Sequence, residues 1–314
     1  MKKILCIDSN HEILHETLIN AGFQCDLFWN KSKEELIQLL PNYDGVVIRS
    51  KFKLTKDILE LTTNLKCIGR VGAGMENIDV NYAKSKGITC VSAPEGNRDA
   101  VGEHTLGMLL MLLNNLKRAD SEVRKGIWKR AENRGFEIKG KTVAVIGYGN
   151  MGSEFAKRLQ GFGCTILAHD TGKKNFGNEF VIESSLERIY DEADIISIHL
   201  PLTSATNYYV NDAFLSSFKK NIYVINTARG KCLKSDDLVK YLKSGKVLGA
   251  CLDVLEYEST SFENIDITTL PETIQYILKS ERVVLTPHIA GWTHESNYKM
   301  SEIIAKKMIE VLKY

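Results

Sequence analysis

Gly147, Gly149 and Gly152 stand in the run Gly147-Tyr148-Gly149-Asn150-Met151-Gly152. The short apolar run Thr-Val-Ala-Val-Ile at 142–146 precedes it, and a stretch of helical period, 153–160, follows. A glycine triplet between a strand and a helix is a chemical device. Gly147 permits the tight turn, Gly149 lets backbone approach a diphosphate, and Gly152 lets helix and strand pack closely. The helix start offers unpaired N–H groups and partial positive charge to the same anion. Asp170 closes the next apolar run, eighteen residues after Gly152. A carboxylate there accepts from ribose hydroxyls and repels a 2′-phosphate. The run is therefore expected to take NAD rather than NADP, with Lys173 and Lys174 close by as cations that could meet a phosphate. A glycine-rich turn without a ligand is the plainer alternative.

A hydride partner needs a proton donor and an anchor. Histidine suits proton transfer because its pKa lies near operating pH. Arginine suits a carboxylate because its planar fork binds two oxygens. His288 follows an apolar run in Thr286-Pro287-His288, and His199 ends another in His199-Leu200-Pro201. Arg229 follows a third in Asn226-Thr227-Ala228-Arg229-Gly230. All three fall where ligands bind in open α/β folds, beyond the carboxyl ends of strands. His294 opens the last helical stretch and could be a surface residue. Each strand-end residue taken alone also fits a simple turn.

These groups need a scaffold, and the chain supplies alternating short apolar runs and helical patterns throughout. Strands are expected at 3–8, 45–49, 65–71 and 89–92. A second series is expected at 142–146, 165–169, 195–199, 223–226, 249–254 and 283–286. Helical stretches include 12–21 and 56–62. Near-continuous apolar strands between helices imply parallel sheets covered on both faces. The expected class is α/β, with two doubly wound parallel-sheet domains. A Rossmann NAD-binding domain, 98–290, is inserted into a flavodoxin-like substrate-binding domain made of 1–97 and 291–314. Crossings would fall near 93–98 and 287–291. Between the two series, 99–118 reads as a helix apolar on nearly every side. Such a helix is expected to be buried all round, between domains or in a subunit interface.

Composition narrows the function classes. The 314 residues are 44% hydrophobic, with a net charge of +2. That charge gives no reason to expect nucleic acid or an anionic membrane as partner. The basic start, Lys2-Lys3, meets Asp8 too soon for a signal core, and no run of about 18 apolar residues suggests a spanning helix. The seven cysteines are spread out, with no pair at metal-binding spacing. Reduced thiols in a cytoplasmic protein are expected, mostly buried in strands, with no metal site. Phe28 and Trp29 could shape a pocket in the first domain, with buried packing the expected role of each.

The order of motifs resembles the D-isomer-specific 2-hydroxyacid dehydrogenase family along essentially the whole chain. The segments that carry it are Arg70-Val-Gly-Ala-Gly-Met-Glu-Asn-Ile-Asp79, Gly147 to Gly152, His199-Leu-Pro201, Asn226-Thr-Ala-Arg-Gly230, Leu252-Asp-Val-Leu-Glu-Tyr-Glu258 and Pro287-His288. The resemblance implies an NAD-dependent oxidoreductase moving a hydride to or from C2 of a small hydroxy or keto acid. It implies Arg229 as substrate anchor, His288 as acid/base, and Glu258 as the carboxylate that supports the histidine. Ser259 follows Glu258 where the family commonly has proline, and Glu256 is the alternative partner. The backbone of Val71, Gly72, Ala73 and Gly74 is implied to hold substrate. Asp253 is implied near the nicotinamide amide, and His199, Pro201, Thr206, Thr227 and Ala228 around the cofactor. The stretch 259–282 is longer than usual between these motifs, with a helix expected at 271–279. Family members typically dimerise through the equivalent of the helix at 99–118, so a homodimer is expected.

Arg49 and Ser50, with Lys51, close another strand and would suit a phosphate, an ordinary solvated loop being the plainer alternative. Phosphoglycerate dehydrogenases within the family carry a similar Arg-Ser segment, and that substrate is expected. A broad 2-ketoacid, glyoxylate or hydroxypyruvate reductase is the runner-up. A corepressor-like scaffold that senses NAD is the alternative from another class. The chain stops soon after its last helix, so an appended regulatory domain is not expected.

Overall fold

The computed structural model describes residues 1–257 and 270–313. The chain forms two compact units, one made of Met1–Arg98 with Trp292–Tyr314 and the other of Asp99–Gly291. Each is built on one parallel sheet.

In the first unit the strands are β1 (Lys3–Cys6), β2 (Gln24–Leu27), β3 (Gly45–Ile48), β4 (Cys67–Arg70) and β5 (Thr89–Ser92). Their order is β2-β1-β3-β4-β5, with every pairing parallel. This is the flavodoxin-like order, which reverses direction between β1 and β3. β3 is wholly buried, as its Gly-Val-Val-Ile sequence requires. The C-terminal helix, His294–Lys313, lies on the sheet through Met300, Ile304 and Met308. Its approach is close. A Cβ added at Gly69 would come within 2.5 Å of the Met308 sulfur. Thr293 caps this helix: its N–H donates to Ser296 Oγ at 2.9 Å, and Ser296 N–H donates to Thr293 Oγ1 at 3.0 Å.

In the second unit the strands are β6 (Thr142–Ile146), β7 (Thr165–His169), β8 (Val181–Glu183), β9 (Ile195–Ile198), β10 (Ile222–Asn226), β11 (Val247–Leu252) and β12 (Val283–Leu285). The order is β12-β11-β10-β9-β6-β7-β8, again parallel throughout. This is the doubly wound dinucleotide-binding order with one strand added, and it reverses between β6 and β9. Apolar clusters fill both of its faces.

Several sequence expectations need correction. β2 and β8 escape a search for apolar runs because each is the last strand of its sheet. Gln24-Cys-Asp-Leu27 is only half-buried along its length, and an edge strand needs no continuous apolar face. The helix expected at 99–118 is two helices, Pro94–Leu113 and Leu116–Val123. Asn115 breaks them in the left-handed conformation, φ 53°. Within this chain the first is not buried all round, since Glu103, Gly107 and Met111 form an exposed stripe. The helix after the glycine run begins at Asn150, not 153, so Gly152 lies in its first turn. Trp29 is 44% exposed and is not core packing. The helix expected within the long stretch 259–282 is present, at Glu272–Lys279. None of the seven cysteines forms a disulfide, and Cys6, Cys67 and Cys251 are buried in strands.

Candidate active site

Parallel strands deliver their carboxyl ends to one edge, so β6, β9, β10, β11 and β12 bring their following residues together. The glycine run follows β6 at the point where strand order reverses. Gly147 has φ +93°, and a Cβ there would sit 2.7 Å from the His199 carbonyl oxygen beyond β9. Only glycine fits so close a crossing. Gly152 meets the same limit, since its Cβ would lie 2.0 Å from the Gly147 carbonyl oxygen. Gly149 differs, because a Cβ there would meet nothing within 4 Å. Two glycines therefore close the backbone and the middle one leaves it open, as a surface for a diphosphate must be. Gly149 also caps the helix Asn150–Arg158.

Asp170 lies beside this run. Its carboxylate accepts from Tyr148 N–H at 2.8 Å, Gly172 N–H at 2.8 Å and Lys173 N–H at 2.9 Å. Burial works to raise its pKa, but those three amides and the Lys173 charge outweigh it and hold the group below the ordinary range. The carboxylate stays ionised and fixed, with lone pairs remaining for a diol. Lys173 turns its ammonium to the Tyr148 carbonyl at 3.0 Å. Tyr148 stacks on Phe176 at 4.6 Å. The open glycine, the helix start and the fixed anion together fit a dinucleotide.

Beyond β9, His199 is buried, with Nε2 at 2.8 Å from Ser197 Oγ. Burial pulls its pKa down to about 3, so it stays neutral and does not exchange protons near neutral pH. Thr206 braces the turn after Pro201, with its hydroxyl donating to the Pro201 carbonyl at 2.5 Å. Thr227 is buried against Thr105, their hydroxyl oxygens 3.0 Å apart. Ala228 N–H donates to Asn226 Oδ1 at 3.1 Å, tightening the turn that leads to Arg229. Arg229 Nη1 donates to the Ala228 carbonyl at 2.7 Å. A Cβ at Gly230 would lie 2.0 Å from the Leu255 carbonyl oxygen, so the segment after β11 packs directly on the arginine turn.

Asp253 is the hub of this edge and is 2% exposed. Its N–H donates to the Asn226 carbonyl at 3.0 Å, and its carbonyl accepts from His288 N–H at 2.7 Å. Its carboxylate accepts from Thr286 Oγ1 at 2.6 Å, Ile289 N–H at 2.8 Å and Ala290 N–H at 2.9 Å. The loop bearing His288 is thus gripped from both sides. His288 itself takes φ +56°, an uncommon conformation for a non-glycine residue. His104 joins the network, with Nε2 3.0 Å from Thr286 Oγ1 and 3.7 Å from Asp253 Oδ1. Spacing alone assigns His104 no role, because a single histidine inside an apolar helix carries no signal.

Glu258 lies outside the described residues. Glu256 does not: one oxygen accepts from Tyr208 Oη at 2.5 Å and the other from Ser235 N–H at 3.1 Å. Its carboxylate is committed to that turn.

In the first unit the strand order reverses between β1 and β3, and Asp8 and Arg49 follow those strands. Asp8 accepts from Arg49 N–H at 2.6 Å, and Asn77 Nδ2 donates to the Arg49 carbonyl at 3.1 Å. The Arg49 guanidinium stacks on Trp292 at 3.6 Å from the ring centre. Its N–H groups make no hydrogen bond or ion pair among the described residues. A cavity of about 280 Å³ lies before it, lined also by Thr293, His294, Ser296 and Asn297. Ser50 is half-buried beside Arg49. Val71 to Gly74 follow β4. Val71 N–H donates to the Ile48 carbonyl and Gly72 accepts from Ala93 N–H. Arg70 is a group that sequence reading passes over. Its Nη1 lies 1.3 Å from where a Gly72 Cβ would be, so glycine alone admits its guanidinium over the loop. Among the described residues no cluster of three or more metal-ligating side chains occurs, and no helix is long and apolar enough to cross a membrane.

The family description "D-isomer specific 2-hydroxyacid dehydrogenase, NAD binding domain" matches residues 106–290. The chain belongs to that family, and its second unit carries the family's NAD-binding domain. A D-3-phosphoglycerate dehydrogenase of Archaeoglobus fulgidus is 33% identical over 99% of this chain and 57% of its own length. The chain thus spans little more than half of that relative. A hydroxypyruvate reductase of Thermotoga maritima is 36% identical over 89% of this chain and 88% of its own. The crystal structure of an Aquifex aeolicus D-lactate dehydrogenase, complexed with NAD and lactic acid, aligns with a TM-score of 0.82. The identity there is 29%, covering 99% of this chain and 96% of that one.

Proposed function

We propose that this chain is an NAD-dependent oxidoreductase acting on D-2-hydroxy and 2-keto acids, with a phosphorylated three-carbon acid, 3-phosphoglycerate or phosphohydroxypyruvate, as its substrate. NAD, when bound, supplies the hydride acceptor and its reduced form the donor. Gly147 to Gly152 hold its diphosphate and Asp170 its adenosine ribose, with Thr206, Thr227, Ala228 and the backbone after β9 along its length. Arg229 is the substrate anchor of the second unit, and the backbone amides of Val71 to Gly74 are the substrate-binding loop of the first. His288 carries the proton that leaves or joins the C2 oxygen, with Glu258 as its carboxylate partner. Asp253 acts by holding the His288 loop. His199, buried and neutral, belongs to the scaffold of the cofactor site.

The observation that carries the phosphate reading is Arg49. A half-buried guanidinium with no acceptor among the described residues, set at a strand-order reversal, suits a bidentate oxyanion. The test is steady-state oxidation of NADH by the purified chain with phosphohydroxypyruvate, hydroxypyruvate, glyoxylate and pyruvate. The highest kcat/KM should belong to phosphohydroxypyruvate. A preference for hydroxypyruvate or glyoxylate would replace this reading with the broad reductase, which the Thermotoga maritima relative, matched over 88% of its own length, favours.

We also propose a homodimer formed through the helix Pro94–Leu113 and the region that follows it. Met111, Leu116, Val123, Ile127, Trp128 and Phe136 are all exposed there, Trp128 by 74%. So much apolar surface in one segment marks an interaction site. Light scattering at micromolar concentration should give twice the chain mass. An active monomer would refute the dimer.

A further inference from the structure

Trp292 stands first in the segment that returns to the first unit. The capping bonds between Thr293 and Ser296 hold its backbone at the start of the C-terminal helix. Met300, Ile304 and Met308 anchor that helix in the core. Yet the side chain itself is 63% exposed. A tryptophan selected for packing would be buried. This one spends a ring face on Arg49, 3.6 Å from the guanidinium carbon.

The geometry has a specific consequence. An arginine side chain at a strand end samples many rotamers, and each binding event must restrict them. An aromatic face fixes the guanidinium plane without using any N–H, because stacking engages only the π face. Every donor stays in the plane, at the edge, where a two-oxygen acceptor meets it. A carboxylate partner would also fix the arginine, but it would neutralise the charge and occupy the fork. Asp8, the nearest candidate, is turned to the Arg49 backbone N–H instead. Trp292 lines the same cavity as Arg49, with Thr293, His294, Ser296 and Asn297.

We infer that Trp292 is a positioning residue for substrate selection, holding Arg49 flat so that its edge receives the distal phosphate of a phosphorylated three-carbon 2-keto acid. This rests on the phosphate reading above and adds to it a residue that touches no reacting atom.

The test is a double-mutant cycle in the full chain, with Arg49→Ala, Trp292→Ala, Trp292→Phe and the double alanine variant. KM is read for phosphohydroxypyruvate and for glyoxylate with saturating NADH. Trp292→Ala should raise the ratio of the two KM values about tenfold, the upper range for a partly desolvated cation–π contact. Trp292→Phe, which keeps an aromatic face, should restore most of it. The double variant should match Arg49→Ala alone, because the ring acts only through the guanidinium. If Arg49→Ala raises the ratio and Trp292→Ala does not, or if the effects simply add, Trp292 is overturned and the phosphate reading stands. If Arg49→Ala leaves the ratio unmoved, the phosphate reading falls, and Trp292 with it. Loss of stability in Trp292→Ala cannot mimic the expected result, since misfolding lowers the active fraction equally for both substrates. The phenylalanine variant gives the same comparison with the ring retained.

Discussion

The two sheets place their reversals of strand order to different use. In the seven-stranded sheet the crossing between β6 and β9 is stripped of side chains: Gly147 and Gly152 admit no Cβ, and Gly149 opens to free space. In the five-stranded sheet the crossing between β1 and β3 carries charge, with Asp8 turned to a backbone amide and Arg49 laid on Trp292. The topology provides a crevice in each case. The residue at the crevice decides what enters it. Bare backbone and a helix start suit an extended diphosphate, whereas a held guanidinium suits one compact oxyanion. Fold alone does not settle ligand class.

The comparison can be broken first at the chemistry. His288→Ala should lower kcat by roughly 10²–10⁴-fold, the usual worth of a positioned proton donor. NADH affinity, read by fluorescence titration, should hold, because the glycine cradle does not involve His288. Unaltered turnover would leave His288 a turn residue.

The next largest effect belongs to the cradle. Gly152→Ala would press a methyl group into the Gly147 carbonyl, 2.0 Å away. Backbone cannot yield cheaply there, and overpacking of this kind costs about 1–3 kcal/mol. NADH affinity should fall about tenfold or more, with a lower melting temperature. Gly149→Ala, which meets no protein atom, should leave the melting temperature in place and weaken NADH alone. Equal behaviour of the two variants would remove the distinction drawn between closing and open glycines.

The smallest effect concerns Asp170. Asp170→Ala should narrow the preference for NADH over NADPH. Because the folded carboxylate is held below its usual pKa, it stays ionised as pH falls to the ordinary carboxylate range and is protonated only below that. The preference should therefore be flat between about pH 8 and about pH 5 in the unmodified chain. A preference that collapses within that window would mean the carboxylate is not the discriminating group.

Much of this was legible in residue order. The glycine run announces itself because three glycines between a strand and a helix have few other uses, and Arg229 and His288 follow apolar runs that can only be strands. What escaped has physical reasons. β2 and β8 are edge strands without an apolar run. The break that ends the long helix is silent in sequence, because Asn115, in the left-handed conformation, looks there like any polar residue. His104 and Arg70 act through contacts made in space, with Asp253 and over Gly72, and no spacing encodes either. His199 looked like a second acid/base because position alone cannot reveal burial. Trp292 follows His288 closely in sequence yet serves Arg49, far back in the chain.

If cofactor and distal substrate group are held by separate strand edges, as proposed, Arg49→Ala will uncouple the two. NADH affinity and KM values for phosphohydroxypyruvate and hydroxypyruvate should be measured on that one variant. These two substrates differ only by the phosphoryl group. NADH affinity should be unchanged, and the KM for phosphohydroxypyruvate should rise by about 1.5–3 kcal/mol of lost binding, the worth of a charged hydrogen bond. Hydroxypyruvate should show little change. An equal rise for both substrates, or a loss of NADH affinity, would contradict it.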